Sequence, residues 1–452
     1  MSTGMAEIKD ATDLYLADFD RIERRTARGP GAWLLPIRKA AISRFAELGF
    51  PTTQDEEWRY TSVAPIAETA FERASADGAE VTRKQLAPYL FAADVPTIVF
   101  VNGFFREDLS SLSDLPAGLR IESIAAAIAR DDATARRHLA RHAKIEDQAF
   151  TALNTALFED GAMIHADRGT VVESPVHVVY VSSGGVGPSV SHPRTLVVAE
   201  ESSQIPVVET FVGFGGAAYF TNTVTEVVVG DNATVDHYKI TREATGSFHI
   251  GTIMLHQFRN GNGRTFAGTF DGGLIRHEID TVLDGEGCDC GMNGLYLVDG
   301  PRHVDNHLIV EHAKPHCDSR EFFKGILDGH GKGIFSGRII VRPGAQKTDA
   351  KQTNMSLLLS QEAQVESKPQ LEIFADDVKC THGATIGQIN EEALFYLRSR
   401  GIHEDAARSL LVYAFAADVL DRVRVDSLRA ALERLVFQKL PHGDLMGPHE
   451  TG

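Results

Sequence analysis

Residues 224–240 read VTEVVVGDNATVDHYKI: two β-branched runs, Val224–Val229 and Thr234–Ile240, on either side of Gly230-Asp231-Asn232. β-Branched side chains suit a pleated surface, and Gly, Asp and Asn accept the backbone of a tight corner. The same grammar holds from Met163 to Ile389, where helical periodicity is almost absent. Thr170–Val181 (TVVESPVHVVYV), Thr195–Val198, Val207–Val212, Arg338–Val341 and Leu371–Phe374 are further runs. Some 230 residues of short strands build a sandwich, a barrel or a solenoid. One local repeat favours the solenoid. Val229–Ala233, Leu283–Gly287 and Leu327–Gly331 each end a strand in a small polar corner, at spacings that suit two or more coils.

Outward from this core the pattern turns helical. Ile22, Trp33, Leu34, Leu35, Ile37, Ile42, Phe45, Leu48 and Phe50 sit among charges, with Pro30 and Pro36 as punctuation. Thr97–Phe105 (TIVFVNGFF) predicts a strand and a turn at Asn102-Gly103, and Ile121–His142 has helical spacing. Beyond the core, Asn390 caps a helix with Glu391 and Glu392 in its first turn, and Gly401 ends it. A second helix is expected from about Glu404 to Val423, and a third from Val425 to Leu440. The organisation is a mostly helical region at 1–160, a β core at 161–389 and a helical region at 390–452. A solenoid needs covered ends, since a bare terminal coil exposes strand edges.

The chain has 452 residues, about three domains at roughly 150 each. Its net charge of −17 argues against non-specific nucleic-acid binding and against docking on an anionic membrane, which both want a positive field. Leu410–Ala417 is the longest apolar run, far short of the ~20 residues of a membrane span. Met1–Asp10 lacks the apolar core of a signal peptide. Four cysteines make no disulfide framework, so a reduced, cytoplasmic protein is expected.

The common catalytic signatures are missing. Gly331-Lys332 lacks the upstream Gly and the Ser or Thr of a P-loop, and His277-Glu278 lacks the second His of a zinc-protease helix. His303, His307, His312, His316 and Cys317 contain metal-binding types, but their spacing matches no closed zinc motif. Cys288 and Cys290 fall on one strand face, where packing is the simpler role. Cys380 and His382 also share a face, which suits a transition metal, although two donors do not complete a site. The alternative is that they pack at the end of the core.

Three stretches then resemble a known family, the SufD-type members of the SufB/SufD scaffold subunits of the SUF iron–sulfur cluster assembly complex. They are Asp55–Thr61 (DEEWRYT), Ser336–Val341 running on to Gln346–Ala350, and Cys380–Thr385 running on through Leu394–Ile402. The resemblance implies a right-handed parallel β-helix core flanked by helical N- and C-terminal domains. It implies a non-enzymatic scaffold that pairs with SufB through the β-helices and carries the SufC ATPase on its C-terminal helices. It also implies a transient iron–sulfur cluster at the SufB interface, with His382 as metal ligand and Cys380 as a lesser cluster-binding thiol. The sequence leaves open a homodimer in the absence of SufB. The SufB paralogue has a cluster-building Cys where Asn354 stands here, and a Glu after its His where Gly383 stands. A β-helix is also a frame for carbohydrate-active enzymes; Asp271, Glu278 and Asp280 are the carboxylates such an enzyme would draw on.

Overall fold

The computed structural model describes residues 3–26, 29–76, 80–185 and 187–440. From Gly161 to Gly387 the chain winds through a parallel β-solenoid of about eight coils. Each coil gives one strand to an eleven-stranded sheet and the next to a ten-stranded sheet, so strands alternate between the two. The register step runs from 26 residues, between Phe248 and Leu274, to 33, between Gly161 and Arg194.

The corners explain the sequence repeat. Ser202, Asn232, Asn260, Gly287, His316 and Lys347 all have positive φ, between 52° and 76°, and stack in one column. Each donates its N–H to the next coil; Asn232 reaches Arg259 O at 2.8 Å and Asn260 reaches Glu286 O at 2.9 Å. Asn and Gly adopt this backbone most cheaply, which is why the corners at 232, 260 and 287 read as they do. Val229–Ala233 and Leu283–Gly287 lie on this column, two register steps apart. Leu327–Gly331 lies on the opposite edge, between Asp318–Leu327 and Lys332–Val341, which is why its spacing fits one and a half coils.

The two ends of the solenoid differ. At the first coil, Thr97–Val101 pairs in parallel with Val176–Ser183, and Leu119–Ser123 pairs antiparallel with Gly161–Ala166. These segments cover the starting edges. The hairpin at Asn102-Gly103 is as expected, but Ile121 is in a strand rather than a helix. Alternation decides it: Leu119, Ile121 and Ser123 are buried, while Arg120 and Glu122 are partly exposed. Helices Ile124–Ala129 and Ala133–His138 follow. Helix Ala149–Leu157 is buried along its whole length, with Asn154 Nδ2 donating to Pro193 O at 3.0 Å and Asn222 O at 2.8 Å.

The helices after Asn390 run Glu391–Ser399, Glu404–Leu420 and Asp426–Lys439. Asn390 Oδ1 accepts from the N–H groups of Glu392 and Ala393 at 2.9 and 3.0 Å, the cap the sequence predicts. Val412, Ala416, Val419 and Leu420 pack with Leu295, Leu297, Ile326 and Leu357 in one apolar cluster on the outer face of the ten-stranded sheet. The last coil is therefore left open.

Candidate functional site

Gln364–Ile373 pairs only with Lys332–Val341, and Lys379–Gly387 only with Asp349–Leu358. Among the described residues nothing pairs with the far edges of these last two strands. A strand inside the solenoid is covered on both faces, as Tyr219–Val229 is along its whole length. In the last two strands no residue is fully buried, and most of Lys379–Gly387 is exposed. Ile373, Phe374 and Ile386 project into solvent there, at 42%, 58% and 49% exposure. Such a row of free backbone groups with apolar side chains invites another strand.

His382 and Cys380 lie on Lys379–Gly387, on the face that points into the lumen. Cys380 packs on the terminal core of Ile339, Val341, Ala345 and Ala350, so His382, two residues on, faces the same way. His382 is exposed because no later coil covers it. Burial, helped by the Asp349 carboxylate, pushes the Cys380 thiol above its ordinary value and disfavours the thiolate that binds metal. Asn354 stands one coil earlier, opposite Ala384, and is buried. Its Nδ2 donates to Ser367 Oγ at 3.1 Å.

The Asp55–Thr61 stretch has a role that sequence reading missed: it straps the eleven-stranded sheet. Arg276 lies over the Trp58 ring at 3.7 Å, donates to Glu57 O at 2.8 Å and to Asp305 Oδ2 at 2.6 Å. Lys332 Nζ donates to Tyr60 O at 2.7 Å, and Lys368 Nζ meets Glu56 Oε1 at 2.7 Å. The strap thus spans four successive coils, through Arg276, Asp305, Lys332 and Lys368. The signal available in the sequence was the acidic run Asp55-Glu56-Glu57, complementary to basic residues of the core such as Lys368.

His307 joins Asp305 and Glu57, at 3.2 and 3.4 Å. Burial works against its imidazolium, but Asp305 and Glu57 outweigh burial and raise it to about 9. The His307 hydrogen bond is the largest effect holding Glu57 down at about 2. His307, with its raised value, contributes stability that is full below about pH 6.5 and is lost as pH rises through 9. Glu57, with its lowered value, contributes above about pH 4.3 and loses it as pH falls toward 2. Denaturation midpoints across pH should therefore fall on both sides of a plateau. His307→Ala should remove most of the decline between pH 7 and 9, and a full alkaline decline in that variant would show the cluster plays no part.

The remaining candidates do not converge. His303 bonds Thr61 Oγ1 at 2.8 Å, His312 bonds Ser319 Oγ at 2.9 Å inside the lumen, and His316 stands on the corner column. Among the described residues no group of three His, Cys, Asp or Glu side chains is arranged to hold a metal ion. Cys288, Cys290 and Cys317 are buried in the core. Asp271 pairs with Lys439 and Arg302, Glu278 with Arg276, and Asp280 accepts from Gln148 at 2.8 Å. Each of those carboxylates is occupied in holding parts of the fold together. No helix among the described residues is long and apolar enough to cross a membrane.

An uncovered parallel solenoid flanked by helices, with Cys380 and His382 on its last strand, is the setting for the comparisons. Residues 180–415 match the family described as SUF system FeS cluster assembly, SufBD core domain, and residues 5–178 match the SufBD protein N-terminal region. The chain belongs to the SufBD family, and its likeness is to SufD-type members. It is 32% identical to the iron–sulfur cluster assembly protein SufD of Escherichia coli, covering 90% of this chain and 93% of that protein. It is also 32% identical to the SufBD family protein slr0076 of Synechocystis, over 89% of this chain and 90% of that one. Protein ABCI7, chloroplastic, of Arabidopsis thaliana is 30% identical over 85% of this chain and 82% of its own length. A role in iron–sulfur cluster assembly follows from the family.

Proposed function

We propose that this chain is the SufD-type half of a two-subunit, non-enzymatic scaffold on which iron–sulfur clusters are built in the cytoplasm. The open end of the solenoid carries the reading: two free strand edges, Ile373, Phe374, Ile386 and the exposed His382 all lie there. A homologous β-helix of SufB type pairs with those edges and covers the apolar side chains. Two copies of this chain use the same end when that partner is absent. The nascent cluster is cargo, shared between His382 and a thiolate of the partner. A neutral imidazole binds iron, and a mixed ligand set at an interface suits a cluster that must later leave. Cys380 is the lesser ligand, since its thiol resists ionisation.

The C-terminal region 390–452 docks a SufC-type ATPase, which supplies the energy that a chain without a P-loop does not. Phe395, at 74% exposure, and Tyr396, at 57% with Arg400 over its ring, stand on the first C-terminal helix and support that docking. Co-expression with SufB- and SufC-type chains, with capture by a tag on this one, tests both contacts. Phe374→Asp combined with Ile386→Asp should lose the SufB-type chain and keep the ATPase. Deletion of 390–452 should do the reverse. Retention of the SufB-type chain by the folded double variant would move the interface elsewhere.

A further inference from the structure

The lumen behind His382 carries a polar file inside an apolar core. His382 is in register with Gln352, and Gln352 with Glu321. Gln352 and Glu321 are 1% and 2% exposed. Gln352 Nε2 donates to Glu321 Oε2 at 2.6 Å, while Gln352 Oε1 has no partner. Phe323, Phe335 and Ile339 supply apolar walls. The facing strand makes room for the amide at Gly337, where a Cβ would stand 2.1 Å from Gln352 Nε2. Any side chain at 337 would expel the amide, so the glycine and the glutamine fit as a pair.

Glu321 needs no counter-charge. Burial pushes its carboxyl up to about 8, so it is neutral at pH 7. Its titratable neighbour in the lumen, the Cys290 thiol, is likewise raised by burial, to about 12, and is neutral too.

A buried amide whose donor side is fixed leaves its acceptor oxygen to be satisfied. One strand spacing of about 4.8 Å separates Gln352 from the strand that carries His382. We propose that Gln352 Oε1 accepts the ring N–H of His382 and so fixes its tautomer, turning the other nitrogen out from the open end. Gln352 is then a positioning residue for His382, and Glu321 and Gly337 position Gln352. This rests on the reading of His382 as a cluster ligand, because a metal-binding imidazole gains aim and basicity when its second nitrogen is held by an acceptor.

The test is selective 15N-histidine labelling of the full chain, with the His382 signal assigned by its loss in His382→Ala. Long-range 1H–15N correlations should show one tautomer in the wild type and in Glu321→Gln, which keeps an acceptor for the Gln352 amide. Gln352→Leu and Glu321→Leu should return His382 to the tautomer mixture of free imidazole. If Gln352→Leu fails to fold, Gln352→Met keeps the side-chain length and removes the amide. In the three-subunit complex the Gln352 variant should hold iron about 10- to 100-fold more weakly, the usual effect of losing an outer-shell partner. The same tautomer mixture in wild type and Gln352 variant would overturn the proposal. The ligand reading is tested separately by cluster recovery in His382→Ala, so either idea can fail alone.

Discussion

Replacing His382 with alanine is expected to leave the three-subunit complex assembled and to cut the iron and acid-labile sulfide recovered with it by tenfold or more, on the order of a lost metal contact. The side chain is exposed, so the fold should not change. Its strand is the last of the ten-stranded sheet, so the partner can reach the ring directly. Cys380→Ala should do less harm, because that thiol is half-buried against Val341 and Ala350 and is held protonated. The readout is cluster content of the complex in cells that lack other assembly systems. Normal content in a stable His382→Ala complex would remove His382 from the site. A complex that falls apart would make it an assembly residue instead.

Arg194→Leu is expected to destabilise the chain by about 3–5 kcal/mol, the usual cost of stranding one half of a buried ion pair. Arg194 and Glu226 are both fully buried, 2.9 Å apart. Arg194 Nη1 also donates to Asn154 Oδ1 and Thr155 Oγ1, each at 3.0 Å, tying the buried helix Ala149–Leu157 to the sheet. Glu226 accepts the backbone N–H groups of Ala140, Arg141, His142 and Ala143. Burial alone would raise the Glu226 carboxyl, but Arg194 and those N–H groups outweigh it and hold it low. Chemical denaturation should show the loss in the midpoint, and Arg194→Leu with Glu226→Leu should recover part of it. A loss under 1 kcal/mol in the single variant would mean that the backbone N–H groups alone hold the carboxylate.

How far the sequence could be read depends on how local each signal is. The coil corners are local: Asn232, Asn260 and Gly287 mark part of the positive-φ column by residue type, and the recurrence of small polar corners along the sequence already pointed to the solenoid. Asn390 was legible for the same reason, since its cap involves the next three residues alone. Ile121 was not, because Leu119–Ser123 is a strand only by pairing with Gly161–Ala166, some forty residues on. The strap escaped for the same reason, its partners lying from Arg276 to Lys368 along the chain. At the site, the shared face of Cys380 and His382 followed from period two. What lay beneath them, Gln352 and Glu321, came only from the register of three coils.

The open end as the docking surface is tested most directly by a photo-crosslinking residue at position 386, on the last strand and half-exposed. Irradiation of the assembled complex should join this chain to the SufB-type subunit, while the same residue at 171, exposed near the first coil, should not. An intact complex that gives no adduct from 386, or gives it from 171 instead, contradicts the account.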